Sequence, residues 1–340
     1  MLHVMPPEKT VTKDQHFVPR FYLRRFTDQR NLVEVLDLTF MKLANPTGVR
    51  GLCCEEFFYG MVTGVPDETS QRVEEWFKKR EDLIGENLDS IVDKILNNEQ
   101  IEAWDKWIIA LLMSMLWIRG QEMRNQIHRI EKETTKWMIE TEISIQPDRF
   151  FSEYEQKNGV KISPELRAKM QEMMVKKEFK ITPNNAMHLK NLGSINDFAH
   201  RFYFQYWTIF ISKVSEKFTT TDNPVAVKFP KAKGLYGRTF SERAHYFSLT
   251  PDIFIVATES HDSPEKPGIR LKRKTLFKGS EGKILDLNAV MVNQAHQYIY
   301  AKSKNDLENL IAVHKRQQEF FETPEGKIVK AQLDAERRGS

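Results

Sequence analysis

The feature that most constrains this chain is the stretch Trp107 to Ile118, apolar throughout except for Ser114. It is well short of the roughly 20 residues needed to cross a bilayer, so it reads as a helix apolar all round and therefore buried inside a protein core. A core able to swallow such a helix needs a substantial chain. The 340 residues, 40% hydrophobic and 29% charged, supply one, and a prior of roughly 150 residues per domain allows two domains or one large one. With 15 Gly and 14 Pro the composition excludes collagen-like, low-complexity and wholly disordered chains. A net charge of +4 demands no acidic partner by itself. Cys53 and Cys54 are too close in sequence for an unstrained disulfide and too few for a zinc cluster, which fits a reducing compartment. Met1 to Gln15 lacks the pattern of a signal peptide, so a cytoplasmic protein without membrane association is expected, with flexible ends at 1–13 and 321–340.

Along the chain, Leu32–Leu38 alternates as a strand does, and Lys42–Ala44 can pair with it. After capping residues at Asp67–Ser70, apolar positions recur at helical spacing to Asn97. A second helix starts near Gln100, includes the apolar run, and continues past Gly120 towards Glu142. The charged, Met-rich region 147–183 reads as an exposed helical insertion with a helix capped by Ser163-Pro164-Glu165. A further helix is predicted from Ile195 to Val214. Short β-rich pieces follow at 217–221, 225–229, 245–249, 253–258 and 297–301, with helical patterns at 287–295 and 306–318. The expected class is α+β: a buried helical middle, with a small, mainly antiparallel sheet formed by N-terminal and C-terminal segments.

Two segments concentrate polar groups beside aromatic anchors. In Asp14–Phe26, a short helix or turn opening at Pro19 buries the aromatic residues and leaves His16 and Arg20 facing a surface or cleft; the plainer alternative is that His16 caps a neighbouring group and Arg20 makes an ordinary salt bridge. In Lys217–Val225, Pro224 ends a strand and leaves Asp222 and Asn223 at its tip. Asp222 there is a metal ligand, a general base or a plain turn acceptor.

Together, Gln15-His16-Phe17-Val18-Pro19-Arg20-Phe21-Tyr22-Leu23 and Phe218-Thr219-Thr220-Thr221-Asp222-Asn223-Pro224-Val225 resemble the DUF4238 family, whose function is unknown. Further matches are the helix bearing Glu74 and Glu81, the apolar helix ending in Trp117-Ile118-Arg119, Phe247–Pro251, Leu287-Asn288 and Tyr298–Ala301. The resemblance spans about residues 14 to 312 and implies a single domain over 14–320. Thr221 stands where the family pattern usually has Ser, keeping a hydroxyl. The region 147–183 has no counterpart in that pattern.

The matching polar residues imply a site but no reaction. Glu74 and Glu81 lie two helical turns apart, on one face. Arg119 at the end of its helix either caps carbonyls or clamps an anion, and Asn288 either caps a helix or joins the site. If they converge, Glu74, Glu81 and Asp222 hold a divalent ion such as Mg²⁺ or Mn²⁺, and His16 and Asp222 act in catalysis. Arg20, Arg119, Asn223 and Asn288 then bind an anion. That inventory suits metal-dependent hydrolysis of a phosphodiester or nucleotide, as by a nuclease. The alternative is a non-catalytic module that binds an anionic ligand or nucleic acid. Arg270, Lys272, Arg273, Lys274 and Lys278, with Lys228, Lys231, Lys233 and Arg238, form either a nucleic-acid patch or a lysine-protected edge strand. No P-loop, dinucleotide fingerprint, zincin or serine-hydrolase motif is present.

Overall fold

A computed structural model describes residues 11–176, 178–228, 244–259 and 270–328. At its centre is α3 (Ala103–Ile118), in which Ile108, Ile109, Leu112, Met113, Met115, Leu116 and Ile118 are fully buried. This is the fate the apolar run dictates. One side of α3 packs on α2 (Glu68–Leu96), whose buried Phe77, Ile84, Leu88, Ile91 and Ile95 form a single stripe. Another side packs on α8 (Ile195–Phe204). The Asp67 side chain caps α2 by accepting from Ser70 N at 2.7 Å. Asp105 accepts from Lys94 Nζ at 2.8 Å and from Glu102 N at 2.9 Å, tying the end of α2 to the start of α3.

The second predicted helix is two. Arg119 ends α3, and Gly120, with extended ψ, begins α4 (Gln121–Ile145). A Cβ on Gly120 would sit 3.2 Å from the carbonyl oxygen of Leu116, so the close approach of this corner favours glycine. The 147–183 region holds α5 (Pro147–Asn158) and α6 (Pro164–Val175), the latter capped by Ser163 as its sequence indicates and burying no residue.

Among the described residues three sheets flank the helices. In the first, β1 (Asp14–His16) pairs antiparallel with β4 (Cys54–Glu56). A four-stranded sheet joins β2 (Glu34–Asp37) and β3 (Lys42–Leu43) from the N-terminal part to β6 (Thr220–Thr221) and β11 (Tyr298–Ala301) from the C-terminal part, in the order β3-β2-β11-β6. This is the antiparallel sheet of N- and C-terminal segments expected from the sequence. The third sheet lies wholly in the second half. Its order is β10-β5-β9-β8-β7, from β5 (Tyr206–Ser212), β7 (Val225–Lys228), β8 (Ala244–Thr250), β9 (Ile253–Thr258) and β10 (Leu271–Leu276). Among the described residues the β10–β5 pair is parallel and its other pairs are antiparallel.

The helix predicted over Ile195–Val214 stops at Phe204, and Tyr206–Ser212 is strand β5. Flanked by β10 and β9, β5 buries Trp207, Ile209, Phe210 and Ile211, so its apolar run lacks the alternation of a half-exposed strand and mimics a buried helix. Similarly, the helix predicted at 287–295 is the later part of α9 (Glu281–Val292), and α10 (Lys304–Glu322) follows β11. No helix among the described residues is long and apolar enough to cross a membrane.

Candidate functional site

The site is built on β1. His16 opposes Cys54 across the β1–β4 pair, and the buried Gln15 fixes the next loop by accepting from Tyr59 N at 2.8 Å. Pro19 then opens α1 (Arg20–Leu23), which aims Tyr22, Leu23 and, in the following turn, Phe26 into the core while Arg20 and Arg24 stay exposed. The Tyr22 hydroxyl donates to the Ser248 carbonyl at 2.6 Å and meets Thr220 Oγ1 at 2.6 Å. The two segments that carry the family resemblance therefore touch, and they do so in the core.

A cleft of about 990 Å³ opens beside this corner. The wall from β1, α1 and the turn Val49–Gly51 presents His16, Arg20, Arg24 and Arg50. The α2 wall presents Glu68, Arg72, Glu74, Glu75, Lys78, Glu81 and Asp82, and Arg119 closes the floor. Five predicted residues converge here: His16, Arg20, Glu74, Glu81 and Arg119. Arg24, Arg50, Arg72 and Tyr59 were missed; Arg72 carries a signal, since Glu68, Arg72, Glu75 and Asp82 recur along one face of α2 at helical spacing.

Arg119 is the organiser. Only 1% exposed, it donates to Glu81 Oε1 at 2.6 Å, to the Tyr59 hydroxyl at 2.9 Å and to the His16 carbonyl, and its guanidinium lies 4.0 Å from the Phe77 ring centroid. Burial opposes its charge, but the facing Tyr59, Glu81 and Glu74 outweigh that and raise its pKa. The Tyr59 hydroxyl also donates to the His16 carbonyl, at 3.0 Å. Two donors thus clamp the backbone of His16.

His16 Nε2 lies 2.9 Å from the Arg50 carbonyl, an acceptor, so Nε2 carries the proton and Nδ1 is the free lone pair of the neutral ring. Burial lowers the His16 pKa, and the nearby Arg20 and Arg119 charges add to that. Both effects favour the neutral ring. Glu74 Oε1 is shut off from solvent with no hydrogen-bond partner, and burial pushes its carboxyl up to about 7, with Arg119 opposing and Glu81 assisting. None of Arg20, Arg24, Arg50, Arg72 and Lys78 is ion-paired to a described residue.

Asp222, Asn223 and Asn288 do not line the cleft. Asp222 Oδ1 accepts from His296 N at 2.8 Å, and Oδ2 from Gln297 N at 2.7 Å and Tyr298 N at 2.9 Å. It is a turn acceptor at the point where the chain leaves β6 in one sheet for β7 in another, and burial raises its pKa despite those three donors. Asn223 donates to the Gln294 carbonyl at 2.8 Å and borders a separate cavity of about 190 Å³. Asn288 is no N-cap: inside α9, it accepts from Thr219 N at 3.0 Å and donates to the Lys217 carbonyl at 2.9 Å, standing in for a neighbouring strand.

The metal set therefore does not assemble. Glu74 and Glu81 are separated by about 10 Å along the helix axis, Glu81 is held by Arg119, and Asp222 faces backbone. Among the described residues no group of three or more His, Cys, Asp or Glu side chains is arranged to hold a metal ion. Cys53 and Cys54 are free thiols, both with pKa values raised chiefly by burial.

The middle of the basic run forms β10, which among the described residues lies at the edge of its sheet. Lys272, Lys274 and Lys278 are exposed, whereas Arg273 turns inward to Asn98 Oδ1 at 3.0 Å and to the Glu99 carbonyl, and the Arg270 carbonyl accepts from Trp207 N at 3.0 Å. Lys231, Lys233, Arg238 and the Lys228 side chain lie outside the described residues.

Searches of curated proteins and of solved structures each return no match. A family model described as a protein of unknown function (DUF4238) matches residues 14–305, most of the chain and every residue that lines the cleft from Asp14 onward. The chain belongs to the DUF4238 family.

Proposed function

We propose that the cleft between α1 and α2 binds an anionic, phosphate-bearing ligand, a nucleotide or a segment of nucleic acid being the class to test first. The observation that carries this reading is the set Arg20, Arg24 and Arg50, gathered on one wall and left without ion-pair partners among the described residues. Guanidinium groups in that state are matched by phosphate oxygens, which take two parallel N–H bonds from each fork. The opposite wall is mainly acidic, so the cleft as a whole is mixed in charge and the anion belongs to the α1 side. Arg119 is less suited than Arg20, Arg24 and Arg50 to the clamp role expected from the sequence, because its Nε, Nη1 and Nη2 already donate to Tyr59, Glu81 and His16. Its part is to fix the wall.

Phosphorus NMR of nucleoside monophosphates and pyrophosphate mixed with the full chain tests this directly. Line broadening that is lost in Arg20→Ala, with the fold intact by circular dichroism, is expected. Sharp, unshifted lines with the wild-type chain would refute the reading.

A further inference from the structure

We infer that the cleft cleaves phosphodiesters by acid–base chemistry, with the Glu74 carboxyl as proton donor and His16 Nδ1 as proton acceptor, an inference that rests on the anion-binding reading above. The two groups come from the two walls of one cleft, and the anion clamp sits beside the base. Glu74 Oε1 has no partner in the protein although it is shielded from water, a state that costs stability unless the carboxyl has a task or a proton. The charges that act on it, Arg119 and Glu81, are paired with each other. His16 has its tautomer set by the Arg50 carbonyl and its backbone held by Tyr59 and Arg119, which are positioning residues. A base held in one tautomer on a clamped strand meets the requirement for directed proton transfer.

In the step, a phosphodiester lies against Arg20, Arg24 and Arg50. His16 Nδ1 takes a proton from a water molecule as the water oxygen bonds to phosphorus. The bond from phosphorus to the leaving oxygen breaks, and that oxygen takes the Glu74 proton. The products are a phosphate monoester and an alcohol, with His16 protonated and Glu74 ionised; proton exchange with solvent restores both. Turnover needs Glu74 protonated and His16 neutral. Glu74 is faced by Arg119 and Glu81, and His16 by Arg20, Arg119 and Glu81, so the rate should fall on both sides of a maximum.

The full chain is incubated in EDTA with a dinucleoside monophosphate and with bis(p-nitrophenyl) phosphate, while pyrophosphate binding is measured in parallel. Both esters should be cleaved. Glu74→Gln should lower the dinucleoside rate about 100-fold but the p-nitrophenyl rate only a few-fold, because p-nitrophenolate leaves without a proton. Glu74→Asp, which keeps an acid, should recover part of the loss, and His16→Gln should lower both rates about 100-fold. Pyrophosphate binding without cleavage in EDTA overturns the inference and leaves the binding reading standing; equal losses on both esters in Glu74→Gln overturn the donor role. Absence of pyrophosphate binding by the wild-type chain overturns both.

Discussion

Arg119 and Glu81 form a pair in which the guanidinium is nearly inaccessible and the carboxylate partly exposed. Breaking such a pair is costly because a charge is left in the interior. Glu81→Ala should therefore destabilise by on the order of 3 kcal/mol, read by urea unfolding, and Glu81→Gln by less. Asp222 is a second buried carboxylate of a different kind. Asp222→Ala removes the acceptor for three backbone N–H groups and should lower the unfolding midpoint severely, at about 1–3 kcal/mol for each unsatisfied group; an unchanged midpoint would refute the turn-acceptor role. Glu74 gives the opposite sign. Its folded value of about 7 lies above the ordinary carboxyl value of 4.5, so between those limits the folded state holds a proton that the unfolded state releases. Stability contributed by that proton is present below pH 4.5 and lost as pH rises through 7. Glu74→Gln should therefore flatten the stability profile across that window and make the protein more stable than wild type at pH 8, by on the order of 2 kcal/mol.

The elements most legible in the sequence were those whose signals are local. The apolar stripe of α2 and the Ser163 cap of α6 lie within single helices, and both appear as read. Strand β5 was not legible, because a strand buried on both faces presents the same unbroken apolar run as a buried helix, and only its neighbours β10 and β9 decide between them. The site divides the same way. Glu74 and Glu81 share a face because of helical periodicity, whereas Asp222 is captured by backbone at His296–Tyr298, far along the chain, which no local pattern announces. The anchoring of α1 rests on one such distant link, the Tyr22 hydroxyl between Thr220 and Ser248. Tyr22→Phe should cost about 1–3 kcal/mol and couple to Thr220→Val in a double-mutant cycle; additive effects would show that the link is not a shared one.

At the scale of the molecule, α2 is the ruler. Its N-terminal half forms a wall of the cleft, and its C-terminal end receives Arg273 from the basic edge strand β10, about 25 Å further along the axis. Lys272 and Lys274 are thus too remote to share a small ligand with Arg20. Replacing both by Ser should leave pyrophosphate affinity unchanged while weakening any association with long oligonucleotides and reducing its salt dependence. The anion seat at α1 underlies both the binding and the cleavage proposed for the cleft, and calorimetric titration of the full chain with pyrophosphate measures it most directly. Saturable binding that weakens with added salt and at least tenfold in the Arg20→Ala/Arg24→Ala double variant, with the melting midpoint within a few degrees of wild type, is the expected result. Equal affinity in the two folded proteins, or no binding by wild type, would contradict it.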